Sequence, residues 1–488
     1  LEDLPALTRL VHWAGLLGSK VLLSSATIPP AMAQALFEAY QHGRQCYMRE
    51  AKKQEQTQAI VCAWFDEFTA ISQTCLGTEA FQQAHTKCVN KRLSALDQHQ
   101  HISRYAKILS MPIQDKNRLV IEVAKYLQAA CVLLHQEHHE QEQQYRYSVG
   151  LMRFANIQPL IAIAQALMSL SVADGFELHF CVYHSQFTLA QRSAIEEKLD
   201  RILKRHQKNA LWSQEEVRNT VLRKPDKQHL FIVLATSVAE VGRDHDYDWA
   251  IVEPSSARSL IQLAGRLQRH RQLAVNTPNL LIWEQNYRAL SQAITPTQAV
   301  FTQPGFERSQ IRYLRDKNVQ QCLIKRQYEF PNSKVSISTE WDLHKLNEKM
   351  PKDFGNLIHL EHAAYYQVLL GFGKNSPHQK DNTALCTRGY AKLWWQKQPF
   401  WSGELQRRQG FRCSAPELVW LRLISEQGKP AWYYRDEHDY DKIKLLEKGR
   451  IQTLSLQPTM GNTWWFEQTE EERYEEIAEA LQSNMKYI

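Results

Sequence analysis

Between Tyr147 and Glu284 the sequence alternates short apolar runs with longer stretches of helical periodicity, and this narrows the fold more than any other feature. The alternation predicts strands at Tyr147–Phe154, Glu177–Tyr183, Leu230–Ala235, Trp249–Val252 and Asn279–Trp283. Helices are predicted between them at Ile157–Leu170, Leu189–Arg205 and Arg258–Arg269. The run from Leu230 to Leu234 has no polar interruption, so both its faces need cover, as in the interior of a parallel sheet. Strand–helix repetition of this kind gives an α/β fold, a parallel sheet flanked by helices. Such sheets bind ligands beyond the C-terminal ends of their strands.

Two loops near that end carry chemistry. The Leu230 strand runs out in Ala235, Thr236 and Ser237, small and hydroxyl residues that let a backbone or phosphate come close, and Gly242 and Asp244 follow on a loop. After the Trp249 strand, residues 259–271 read S-L-I-Q-L-A-G-R-L-Q-R-H-R. On a continuous helix Gln262, Arg266 and Arg269 fall at i, i+4 and i+7, an amide and two guanidiniums on one face. Leu260, Leu263 and Leu267 form a second, apolar stripe suited to burial. Gly265 leaves out a side chain beside Arg266, where a ligand or backbone could approach. Paired guanidiniums offset the charge that develops in phosphoryl transfer, although a basic surface helix is the plainer account of R-x-x-R alone. Arg153 and Asn156 follow the first strand and His184 the second. Capping the next helix and touching nucleic acid explain these three equally well.

A length of 488 residues leaves room for two to four domains. The formal charge of +7 is compatible with nucleic acid without requiring it. The 9 cysteines, from Cys46 to Cys413, form no C-x-x-C pair, so they read as reduced thiols in a cytoplasmic protein rather than a zinc site or disulfide framework. No apolar run is long enough to cross a membrane, and no secretory signal is present in the sequence.

The flanks are less regular. A helix is predicted from Leu4 to Leu17, stopped by Gly18, then a buried strand from Lys20 ending in Ser25, Ala26 and Thr27. A helix from Pro30 to about Gln41, closed by Gly43, comes next. From Cys46 to Tyr145 the chain is rich in Gln and His, with one strand candidate at Ala59–Phe65 and mainly helical patterns after it. His135, His138 and His139 could share a metal, but a solvated helix end is the plainer reading. Asp244, Asp246 and Asp248 likewise read as a nucleotide-edge loop before a metal site. Thr295-Pro-Thr and Gln303-Pro-Gly mark a connector. Beyond it, Trp394, Trp395, Trp401, Arg407 and Arg408 combine rings that can stack bases with cations for phosphates, the alternative being core tryptophans beside a basic surface. Trp464, Trp465 and Phe466 read as core.

The order S-A-T, then A-T-S-x-x-x-x-G-x-D, then Q-x-x-G-R-x-x-R resembles motifs III, V and VI of superfamily 2 helicases, whose motor lobes are RecA-like. R-F-A-N-I-x-P-L at 153–160, H-S-Q-F-x-L-A-Q-R-S-x-I-E at 184–196 and Q-L-A-G-R-L-Q-R-H-R at 262–271 narrow this. Together they resemble the helicase–nuclease of type I CRISPR interference, subtype I-F most of all. The resemblance implies ATP-driven movement along single-stranded DNA, degradation of that strand by a metal-dependent HD nuclease, and recruitment by an RNA-guided surveillance complex. ATP and Mg2+ are the implied cofactors, and the adaptation integrase is a further implied partner.

Neither G-x-x-x-x-G-K-[ST], nor D-E-x-H, nor an HD nuclease set occurs in the sequence. The chain therefore reads as the C-terminal half of such a protein, with nucleotide phosphates and Mg2+ held mainly by the N-terminal half, and the isolated chain is expected to be inactive. The implied layout is the end of a first RecA-like domain at 1–45, a mainly helical insertion or continuation at 46–145, and a second RecA-like domain at 146–290. A connector at 291–334 and a mostly α accessory domain at 335–488 complete it. By the same resemblance, Arg266 and Arg269 approach the γ-phosphate, Gln262 positions the nucleotide with Gly242 and Gly265 beside it, and Asp244 meets the ribose or attacking water. Ser25, Ala26 and Thr27 link the lobes, while Thr236 touches a DNA phosphate. Two other readings stay open: a different superfamily 2 DNA or RNA helicase, and a non-catalytic nucleic-acid-binding fragment.

Overall fold

The structure, a computed structural model, describes residues 3–25, 27–51, 59–98, 101–240, 242–302, 305–339, 352–371, 391, 395 and 459–466, with strand backbone inside 420–445. The N-terminal end is a pair of packed helices, α1 Leu4–Leu16 and α2 Pro30–Glu50. Gly18 takes φ +68° and stops α1, as expected. Gly43 does not stop α2, which runs on to Glu50. A Cβ at Gly43 would lie 2.1 Å from the His12 carbonyl oxygen, and one at Gly15 would lie 2.5 Å from that of Tyr40. Gly43 is thus a contact glycine that lets two helix backbones touch.

Among the described residues of the predicted Lys20–Thr27 strand, none is in a strand. Residues 19–25 carry no regular structure, and Val21, Leu22 and Leu23 face solvent, Leu22 at 85% exposure. A strand needs a neighbour for its N–H and C=O groups, and no described strand lies beside this segment.

The next stretch holds more strand than its composition suggests. A hairpin pairs β1 Ile60–Phe65 with β2 Ala70–Cys75, closed by Asp66, whose carboxylate accepts from the N–H groups of Phe68 and Thr69. Helix α3, Thr78–Gln98, covers one face of it. Phe81 stacks on Phe37 of α2 with ring centroids 4.3 Å apart, which ties this unit to the helix pair. β3, Ala106–Leu109, was not expected at all.

One sheet of eight strands dominates the molecule. After β4 Glu140–Glu142 come β5 Tyr145–Arg153, β6 Phe176–Tyr183, β7 Gln228–Ala235, β8 Trp249–Val252 and β9 Leu280–Trp283, each within two residues of its prediction at either end. Two-residue strands β10 Tyr313–Leu314 and β11 Asp353–Phe354 pair beyond the sheet. β12 Trp420–Ile424, β13 Pro430–Arg435 and β14 Ile443–Leu445 form a separate antiparallel sheet. The last strand, β15 Asn462–Trp464, returns to the main sheet, whose order is β15-β6-β7-β5-β8-β9-β3, all parallel, with β4 antiparallel on β5. Among the described residues the region after 335 therefore contributes strands as well as the Leu357–Leu369 helix.

Alternation along β7 fixes the two layers. Leu230, Ile232 and Leu234 point to one core with α4, Leu119–His138, and α5, Ile157–Ser169. Phe231, Val233 and Ala235 point to the other. That second core includes α6 Leu189–Ile202, the single turn α7 Ala210–Ser213, α8 Glu215–Arg223 and α9 Ala257–Ala264. The Leu357–Leu369 helix packs on α2 and α9 and so joins the N-terminal helices to this layer.

Candidate active site

The expected Arg258–Arg269 helix ends early: α9 stops at Ala264 and Gly265 caps it. Leu260, Leu263 and Leu267 are buried as the apolar stripe requires. The chain then turns, and Tyr247 N–H donates to the Arg266 carbonyl at 2.9 Å while Gln268 N–H donates to the Tyr247 carbonyl at 3.1 Å. Those tertiary bonds replace the helical ones, so Gln262, Arg266 and Arg269 do not share a helical face. A Cβ at Gly265 would meet only the Gln262 and Ile261 carbonyls of its own helix.

At the C-terminal strand ends lies a cage of charges built around Arg153. Its Nε donates to Glu240 Oε1 at 2.6 Å, Nη1 to the Glu253 carbonyl at 2.8 Å and Nη2 to Ser259 Oγ at 2.6 Å. Ser259 Oγ donates in turn to Glu240 Oε1 at 2.5 Å. Arg153 is 1% exposed. Its place in a nucleic-acid surface is therefore a correction: a guanidinium removed from water, with each of its three nitrogens donating inside the protein, is a brace, not a phosphate contact. It ties the end of β5 to the 236–240 loop and to the first turn of α9. Glu253 fixes the neighbouring loops through the N–H groups of Ala155 and Tyr287, and burial pushes its carboxyl up. Thr236 and His184 are buried at the same edge. His184 Nδ1 accepts from the Gln186 N–H, its ring stacks on Phe187, and burial lowers its pKa to about 4. Asn156 is half-buried and begins α5 without a side-chain capping bond.

From the cage the 240–248 loop doubles back across the sheet face, and by Asp248 the chain is level with Val149, in the middle of β5. Gly242 makes the reversal at φ +70° with open space where a Cβ would be. Arg266 braces this loop, its Nη2 donating to the Glu240 carbonyl at 2.6 Å and Nη1 to the Arg243 carbonyl. Its Nε meets no acceptor. Arg269 reaches outward instead, Nε on Asp244 Oδ1 at 2.7 Å, with both side chains over two-fifths exposed. His270 Nε2 meets the same oxygen at 3.0 Å, and the His206 ring lies 3.8 Å from that of His270, centroid to centroid. These bonds, from His270 first and Arg269 second, hold the Asp244 carboxyl well below the usual range.

Asp246 and Asp248 do not edge a nucleotide, contrary to expectation. Both are buried, Asp248 on Arg205 at 2.8 Å and Arg271 at 2.6 Å, Asp246 on Arg271 at 2.8 Å. Nor does His135 of α4 belong to a solvated helix end, although His138 and His139 after it are only half-buried. His135 is buried between Ser148 Oγ at 2.8 Å and Gln228 Oε1 at 3.2 Å, with burial lowering its pKa to about 3.

The remaining candidates are scattered. Ser25 is exposed and its Oγ accepts from the Thr27 N–H at 3.2 Å, Thr27 being buried. Trp395 lies inside, its ring 5.7 Å from His12 and 5.1 Å from His42, rather than on an open strand path. Ala26, Trp394, Trp401, Arg407 and Arg408 lie outside the described residues. Sequence reasoning passed over Glu240, Ser259, Arg205 and His270. Of these only Glu240, a carboxylate in the otherwise uncharged run A-T-S-V-A-E-V-G, had a visible signal.

Residues 146–272, which hold both the Arg153 cage and the Asp244–Arg269 pair, match the family described as CRISPR-associated nuclease/helicase Cas3, C-terminal. Over 447 residues the chain is 40% identical to the CRISPR-associated nuclease/helicase Cas3 subtype I-F/YPEST of Pectobacterium atrosepticum, covering 90% of this chain and 39% of that protein. It is 39% identical over 438 residues to the protein of the same description from Pseudomonas aeruginosa, covering 89% of this chain and 38% of the relative. The chain thus spans about two-fifths of the curated relatives it matches. Among solved structures, that of T. fusca Cas3 with AMPPNP is 17% identical, covers 58% of this chain and 28% of that one, and superposes with a TM-score of 0.36, a slight likeness.

Proposed function

We propose, on the premise that this chain is the C-terminal part of a Cas3-type nuclease/helicase of subtype I-F, that it supplies the second RecA-like lobe of an ATP-driven single-stranded DNA translocase. In that role its substrate is DNA opened by an RNA-guided complex, and the protein serves CRISPR interference. ATP and Mg2+ would be held mainly by the preceding lobe, the single strand would run past Thr236 at the strand ends, and the nuclease centre would lie outside this chain.

The observation that carries the reading is the division of labour between the two arginines. Arg266 is committed to its own loop, whereas Arg269 rests on half-exposed Asp244 and can swing to a partner lobe without leaving a buried group unpaired. A guanidinium brought across a cleft to a developing phosphoryl charge contributes about 10³ to 10⁵ in rate in related reactions. Asp244, once free of Arg269, is an acceptor for a ribose hydroxyl or the attacking water.

The test is steady-state ATP hydrolysis with and without single-stranded DNA. The isolated chain should stay at the buffer background, and the full-length protein should be DNA-stimulated. Arg269→Ala in the full-length protein should abolish that stimulation, and Arg269→Lys should rescue little because a point charge lacks the planar fork. Parental turnover by Arg269→Ala would refute this assignment, and stimulation by RNA in place of DNA would move the protein to a different helicase class.

A further inference from the structure

The geometry points to His270 as a positioning residue, one that keeps Asp244 oriented both while Arg269 rests on it and after Arg269 has left for the nucleotide. The inference rests on the proposed role of Asp244 and Arg269 and adds a residue to which the helicase motifs give no role. His270 lies one position past the Q-x-x-G-R-x-x-R pattern, and its side chain is 4% exposed. The backbone N–H of Arg205 donates to its Nδ1 at 3.0 Å. A backbone N–H can only donate, so Nδ1 presents its lone pair and the neutral ring carries its proton on Nε2. That proton points at Asp244 Oδ1, 3.0 Å away. His270 N–H donates to buried Asp246 Oδ2 at 3.1 Å, and the His206 ring lies against the imidazole. The ring is therefore fixed at both nitrogens, at its backbone and on one face, while Arg269 is half-exposed and held by the one carboxylate oxygen.

The same geometry argues against a metal on His206, Asp244 and His270, the one group of described residues whose donor atoms come close enough together. A cation on His270 Nε2 would displace the proton that Nδ1, facing an N–H, cannot accept. Asp244 Oδ1 would also have to release Arg269.

Two substitutions in the full-length protein separate positioning from mere support. Asn keeps an acceptor for the Arg205 N–H but is too short to reach Asp244, whereas Gln places its amide N–H near the Nε2 position. His270→Asn should lower DNA-stimulated ATP turnover by about ten- to a hundredfold at a near-parental thermal midpoint, the scale of a small misplacement in an active site. His270→Gln should recover most of it. In an Asp244→Asn background His270→Asn should cost nothing further, since it acts through that carboxylate. Parental turnover in His270→Asn, a Gln variant as poor as Asn, or additive losses in the double variant would each overturn the inference. So would a rise in thermal midpoint with Zn2+ that His206→Ala removes. Should the Asn variant not fold, the Gln variant decides: near-parental turnover supports the inference and its loss refutes it. Inert His270 variants beside an inactive Arg269→Ala enzyme sink only the inference, whereas an active Arg269→Ala enzyme sinks the underlying function.

Discussion

Arg153 ends a strand and Arg269 follows a helix, and burial gives them opposite roles. Arg153 has lost its hydration and depends on Glu240, Ser259 and the Glu253 carbonyl. Arg153→Met should therefore destabilise the chain by about 3–5 kcal/mol in urea unfolding, because Glu240 is left buried without a counter-charge. Arg153→Met with Glu240→Gln should cost less than the sum of the two, the signature of a coupled pair. A wild-type midpoint in Arg153→Met would show the cage to be incidental. Arg266 and Arg269, read from the sequence as equivalent, should also part company. Arg266→Ala removes donors from two loop carbonyls and should lower stability by about 1–3 kcal/mol, while Arg269→Ala should leave the thermal midpoint almost unmoved. Equal midpoints for the two variants would remove the distinction.

At the scale of elements, α9 and α2 show why periodicity misjudges helix ends. The leucine stripe of α9 continues past Gly265, yet Tyr247 offers backbone partners that draw the chain out of the helix. In α2 a glycine that reads as a terminator lies in mid-helix because α1 packs against it. Gly43→Ala should thus destabilise the helix pair despite the better helix propensity of alanine; a gain in thermal midpoint would contradict the close approach. The start of α9 is held from elsewhere in the chain. Glu361, buried on the Leu357–Leu369 helix, accepts from the N–H groups of Ala257 at 2.5 Å and Arg258 at 3.3 Å. Burial pushes its carboxyl up from 4.5 to about 7, against the smaller opposing pull of those two donors. A folded pKa above the unfolded one means that the stability from this group is full below pH 4.5 and is lost as pH rises through about 7. Glu361→Gln should flatten the stability profile, followed by urea unfolding, between pH 4.5 and about 7, the interval between the two pKa values. An unchanged pH dependence would place the carboxyl elsewhere.

For the whole molecule, the parallel sheet recruits strands from distant parts of the chain: β3 from the Gln-rich stretch on one edge and β15 from near the C-terminal end on the other. Val21, Leu22 and Leu23 present the opposite case, a strand-like sequence with which no described strand pairs. If the proposed preceding lobe supplies that neighbour, amides 20–25 should exchange hydrogen rapidly in this chain alone and be protected in the full-length protein. Equal exchange in both would remove the S-A-T segment from any sheet. Sequence alone determined the α/β class and the five central strands, because uninterrupted apolar runs are local signals. Only the tertiary structure decided that β3 and β15 pair, that Arg153 is buried while Arg269 is exposed, and that His270 backs Asp244. Pairing, desolvation and hydrogen-bond partners come from residues as far apart as Arg205 and His270, and no local pattern carries that separation.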